Sequence, residues 1–64
     1  MKLAEYSWEV RENRREPVIA EGNSMELATA KKVCEFVMAV EECEYAQIIN
    51  DGGYIVATYD KEWS

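Results

Sequence analysis

At 64 residues and a formal net charge of −6, residues 1–64 make one small domain, and a chain this short buries only roughly 60% of its unfolded surface, so its core is marginal. Hydrophobic residues at 48% and charged residues at 31% exclude a disordered chain; no run approaches the roughly 20 apolar residues of a membrane span, and Met1 to Tyr6 lacks a signal-peptide core, so a cytoplasmic protein with no membrane partner is expected. The absence of histidine removes Ser-His-Asp and Cys-His catalysis and the common zinc ligand sets.

The first predicted element is a strand from Leu3 to about Glu12. Ala4, Tyr6, Trp8 and Val10 alternate with Glu5, Ser7, Glu9 and Arg11, a period of two that puts the large apolar side chains on one face. The polar run from Glu12 to Glu16 predicts a turn. Pro17 has no N–H for a ladder bond, so residues 17–21 read as a short edge strand with Val18 and Ala20 facing inward. Gly22, Asn23 and Ser24 are expected to break it, and Asn23 with Glu26 has capping-box spacing, with Ser24 as the competing cap.

A helix is predicted to follow, to about Glu42. At 100° per residue, Leu27, Ala30, Val33, Cys34, Val37 and Met38 share the arc that packs on a sheet, and Lys31, Lys32 and Glu35 fall outside its centre. Phe36 points elsewhere, close in direction to Met25. Two readings stand for it: cover by the N-terminal strand or the Trp63 tail, or exposure as a dimer contact. Cys34 and Cys43 lie nine residues apart, roughly 13 Å along a continuous helix, so no disulfide is expected.

Residues 44–50 and 54–60 are two β-prone runs joined by Asp51-Gly52-Gly53, a hairpin signature. With Asp51 and Gly52 as the two loop residues, Ile49 pairs with Tyr54 and Ile48 with Ile55. One face then carries Ala46, Ile48, Ile55, Ala57 and Tyr59, and the other Tyr45, Gln47, Ile49, Tyr54, Val56 and Thr58. Only one face can cover the core, so the second apolar set is a candidate binding surface. A one-residue slip in register exchanges the two sets. The expected fold is α+β: about four strands in a small antiparallel sheet, ordered β-β-α-β-β, with one helix on one face.

Charge is uneven along the chain. Residues 41–64 carry six carboxylates against Lys61 alone, so the C-terminal part is the acidic end. Such a field repels phosphate and favours a basic protein surface, and direct nucleic-acid binding is disfavoured. No catalytic residue, metal site or cofactor is assigned. Gly52-Gly53 lacks the Lys-Ser/Thr of a phosphate-binding loop, and Glu41, Glu42 and Glu44 read as a solvated helix end. The candidate partner-binding residues are Tyr45, Ile49, Tyr54 and Val56 as apolar anchors, with Glu5, Glu9, Glu44 and Asp60 as flanking charges. Two alternatives accompany this reading. One is a homodimeric structural or accessory protein that buries the same surplus against itself. The other is a nucleic-acid-binding module built on Arg11, Arg14, Arg15, Lys31 and Lys32.

The element order, with Met1-Lys2-Leu3-Ala4 opening into a strand, Ala30-Lys31-Lys32-Val33 on the helix, and residues 53–57 followed by Tyr59-Asp60-Lys61-Glu62-Trp63, resembles small phage-encoded anti-CRISPR proteins. The nearest are inhibitors of multi-subunit type I surveillance complexes. The resemblance implies a stoichiometric inhibitor in the host cytoplasm that binds a Cas effector subunit and blocks target DNA, as a DNA mimic does. This chain departs from that likeness in being clearly acidic, and no binding residue is carried over from the family.

Overall fold

The computed structural model describes residues 5–61. Four strands, β1 (Tyr6–Arg11), β2 (Val18–Ser24), β3 (Tyr45–Asn50) and β4 (Ile55–Asp60), form one antiparallel sheet in the order β2-β1-β3-β4, and helix α1 (Leu27–Glu41) joins β2 to β3. This is the expected β-β-α-β-β arrangement. Leu3, Ala4 and Trp63 lie outside the described residues.

Strand pairing aligns the side chains in rows. On the helix side Ala20, Val10, Ala46 and Tyr59 form one row, and Gly22, Trp8, Ile48 and Ala57 the next. In the second row the large Trp8 and Ile48 thus lie between the small Gly22 and Ala57 of the outer strands. Onto these rows α1 lowers Ala30, Cys34 and Met38, which are fully buried with Val10, Cys43, Ala46 and Ile48. Leu27 and Val37 pack against this core from the rim, and Val33 is half-buried. Lys31, Lys32 and Glu35 are exposed, as the helical periodicity requires. The helix rests mainly on β1, β3 and β2, so β4 extends beyond its cover.

Four sequence expectations are corrected. Residues 22–24 do not break β2: they pair with Trp8, Ser7 and Tyr6. Gly22 suits the strand because the Trp8 indole occupies the space of its missing side chain; a Cβ there would lie 2.5 Å from Trp8 Cζ2. The capping box does not form either. Asn23 Oδ1 accepts a bond from the Ser7 hydroxyl across the strands (3.1 Å), so it is spent inside the sheet. Ser24 instead folds over the helix start, accepting from the Glu26 N–H (3.3 Å) and donating to the Glu26 carbonyl (3.0 Å), and Glu26 is the N-cap without a side-chain cap bond. Thirdly, Val18 does not share the inward face cleanly with Ala20, because a bulge pairs it with Arg11.

The fourth correction is the hairpin register. Asn50, not Asp51, organises the turn: its Oδ1 accepts the N–H groups of Gly52 (2.9 Å) and Tyr54 (3.0 Å), and its backbone N–H donates to the Tyr54 carbonyl. The connection is therefore Asp51-Gly52-Gly53, with Gly53 supplying the positive φ of 86°. A bulge beyond it leaves Ile48 opposite Ala57 and Ile49 opposite Ile55. The net shift for Ile48 is two residues, an even number, so Ala46, Ile48, Ala57 and Tyr59 keep their expected face. Ile55 does not: it is 57% exposed.

At its C-terminus α1 ends on Glu42, in the left-handed region at φ 55°, and the N–H groups of Glu42 and Cys43 both close on the Met38 carbonyl. No helix among the described residues is long and apolar enough to cross a membrane. Phe36 is 69% exposed on the outer side of α1, and Met25 and Val40 are exposed as well.

Candidate functional site: the open face of the sheet

The helix occupies one side of the sheet, and the opposite side carries three rows across β2, β1, β3 and β4. They are Val18, Arg11, Tyr45 and Asp60; then Glu21, Glu9, Gln47 and Thr58; then Asn23, Ser7, Ile49 and Ile55. Period-two alternation produces this surface directly, because every residue between two core residues of a strand must face away from the helix.

Its centre is a polar network. Tyr45 donates its hydroxyl to Gln47 Oε1 (3.2 Å), and Gln47 Nε2 donates to Glu9 Oε1. Arg11 donates to that same carboxylate oxygen (3.1 Å) and to the Glu16 carbonyl (3.3 Å). The Arg11 Nε atom is buried without a partner. These bonds fix Tyr45 and Glu9 in place, so a ligand would meet a surface with little side-chain entropy left to lose. A polar groove of about 370 Å³ lies beside the network, lined by Ser7, Glu9, Glu21, Asn23 and Ile49.

Of the eight sequence candidates, Tyr45, Ile49 and Glu9 come together here, each half-buried. Asp60 stands opposite Tyr45 and is ion-paired with Arg14 at 3.0 Å, its own side chain only 13% exposed. Glu44 is exposed at the same end, its N–H bonded to the Glu12 carbonyl. Tyr54 and Val56 line the hairpin margin, Tyr54 73% exposed and Val56 39%. Glu5 lies apart, just before β1, exposed at the opposite end from Tyr45. Glu21 and Asn23 belong to the surface without being among the sequence candidates; Asn23 falls beyond the expected strand of residues 17–21, which the structure extends to Ser24. The pairing of a bulky Trp8 with a glycine was the available signal.

The basic residues do not assemble into one patch. Arg11 and Arg14 are tied to Glu9 and Asp60, and the sheet lies between Arg11 and the helix that carries Lys31 and Lys32.

The two thiols and the Tyr59 phenol are on the helix side, and each has its pKa raised. Burial, then the Glu35 charge, pushes the Cys34 thiol up to about 11; burial, then Glu41 and Glu12, raises that of Cys43. Both thiols are free. Tyr59 donates to Glu35 Oε2 (3.1 Å), and burial, then this bond, raises its phenol to about 12. Protonated thiols are poor nucleophiles at neutral pH. Among the described residues no cluster of acidic or thiol side chains has metal-holding geometry.

No protein-family model matches this chain, and neither a curated protein nor a solved structure matches it.

Proposed function

We propose that this domain acts by binding: its open sheet face docks on a basic protein surface, and it inhibits a nucleic-acid-processing complex by occupying the surface that receives nucleic acid. The observation that carries this reading is the sheet face that no helix covers among the described residues. Tyr45 and Ile49 lie there among Glu9, Glu21, Asp60 and the adjacent Glu44, on a chain of net charge −6. Carboxylates can take phosphate positions on a basic channel while aromatic and aliphatic side chains supply the desolvated anchors. The resemblance to anti-CRISPR proteins makes a Cas effector of a type I complex the proposed target. Arg11 and Arg14, both engaged with carboxylates, favour this reading over direct nucleic-acid binding.

The test is titration of the protein onto a purified type I effector complex. Micromolar or tighter binding that weakens with salt, and displacement of target DNA, are the expected results. Tyr54→Ala is expected to weaken binding by more than ~1 kcal/mol, and Glu44→Lys to weaken it and flatten the salt dependence. Absence of binding at low salt would rule out the effector.

A further inference from the structure

We infer that β4 is a self-pairing edge: two copies of this chain join antiparallel through their β4 strands into one eight-stranded sheet. The inference rests on the strand edge and is independent of the partner-binding reading.

The two edges of the sheet differ in kind. β2 is guarded. Pro17 precedes it, Glu21 stands in its middle, and the bulge at Arg11 interrupts its regular pairing. β4 also carries a bulge, at Val56, but its residues 55–59, Ile-Val-Ala-Thr-Tyr, contain no charge, glycine or proline. Among the described residues β4 has a neighbouring strand on one side only. Exposed uncharged strands with unpaired backbone groups are templates for another strand.

The hydrogen-bond phase identifies which groups are available. Lys61 donates its N–H to the Glu44 carbonyl (2.9 Å), in the same register that sets Tyr59 opposite Ala46 and Thr58 opposite Gln47. Lys61, Tyr59 and Ala57 therefore direct their backbone groups toward β3, and Thr58 directs its N–H and C=O outward.

Charge selects the occupant. The strand's charged residues, Asp60 and the following Lys61, are both at its C-terminal end. An antiparallel copy centred on Ala57 or Thr58 sets Asp60 opposite Tyr54 or Val56, and Lys61 opposite Gly53 or Ile55. No like charges meet. A parallel copy would set Asp60 beside Asp60. The two-fold axis then closes the assembly at two chains, because among the described residues the remaining edges are the guarded β2 strands. A groove of about 470 Å³ between α1 and β4, lined by Met38, Ala39, Thr58 and Tyr59 among others, opens along this strand and offers further surface for the copy to cover. Both helices fall on one side, and the two open faces become a single continuous surface.

Sedimentation equilibrium of the full chain tests this. The expected mass is twice 7.4 kDa, with association strengthening as salt rises, since two chains of charge −6 repel each other. Binding to a basic partner has the opposite salt dependence, so the two readings fail separately. Thr58→Pro removes an N–H that β3 does not use and is expected to give a monomer with unchanged circular dichroism. Val56→Lys, at an exposed position, is the second variant and is expected to do the same. Hydrogen exchange supplies an independent readout: the Thr58 amide is expected to slow by about tenfold or more on going from dilute to concentrated protein. A 7.4 kDa mass at every concentration, a mass above two chains, a dimer that survives in both variants, or a Thr58 amide that exchanges at one rate throughout would overturn the inference.

Discussion

Replacing Gly22 with alanine tests the packing that holds β2 to the sheet. The new methyl would lie 2.5 Å from Trp8 Cζ2 and 2.8 Å from Cε2. Carbon atoms prefer about 3.5–4.0 Å, so the indole must retreat by about 1 Å. Trp8 is packed against the core and paired with Ile48, and it has no flexible end to swing aside. Overpacking of this kind costs about 1–3 kcal/mol, and the lower unfolded-state entropy of alanine returns about 0.5–1 kcal/mol. The net expectation is a loss of about 1–2 kcal/mol, and each kcal/mol lowers the Tm of a domain this size by about 4–8 °C. Urea unfolding followed by far-ultraviolet circular dichroism measures it without separating the signals of the two tryptophans. In a Trp8→Phe background the clash is relieved, so the cost of Gly22→Ala should fall by more than about 0.5 kcal/mol. An alanine variant as stable as the parent, or an equal cost in both backgrounds, would refute the steric argument.

Glu42→Gly is expected to stabilise the fold by about 0.5–1 kcal/mol, because the residue sits at φ 55° where a Cβ is strained; a urea midpoint that does not rise counts against this. Stability is expected to fall above about pH 9. The Cys34 thiol, raised from 9.0 to about 11, and the Tyr59 phenol, raised from 10.0 to about 12, both bind protons more tightly folded than unfolded, so the folded state loses its advantage as the pH rises through those ranges. Urea midpoints against pH measure the decline, and Tyr59→Phe should remove the portion between pH 10 and 12. Cys34 and Cys43, at 0% and 1% exposure, should resist a thiol reagent in native buffer and react at once in denaturant. Phe36→Gln should change stability by less than about 0.5 kcal/mol, a result that a buried Phe36 would not give.

Element types were legible because two periods coexist cleanly in one short chain. Trp8 and Val10 alternate with charged neighbours, and Ala30, Cys34 and Met38 recur every four residues, so strand and helix could not be confused. The face of the hairpin was legible for the same reason. What was not legible depended on contacts between distant segments. Gly22 reads as a breaker until Trp8 is known to cross it, and Asn23 reads as a helix cap until Ser7 takes its side chain. The register of β4 was decided by the amide of Asn50 and by a bulge, neither of which leaves a periodic trace. At the candidate site, alternation alone located Tyr45, Ile49 and Glu9. The pairing of Asp60 with Arg14 joins residues 46 positions apart in sequence, and nothing local to either announces it.

The strand that comes first in the chain lies inside the sheet, between β2 and β3. As the polypeptide is synthesised, β2 emerges in time to cover one edge of β1, but the other edge must wait for Tyr45–Asn50. Until then Trp8 and Val10 have no Ile48 or Ala46 beside them, and α1 has only half a surface on which to settle. A nascent chain truncated before Tyr45 is therefore a sticky intermediate, whereas one that reaches Asn50 holds every residue of the buried core. Folding is consequently governed by the closure that brings Tyr6 to Asn50, and is slower than the single helix and short turns would suggest.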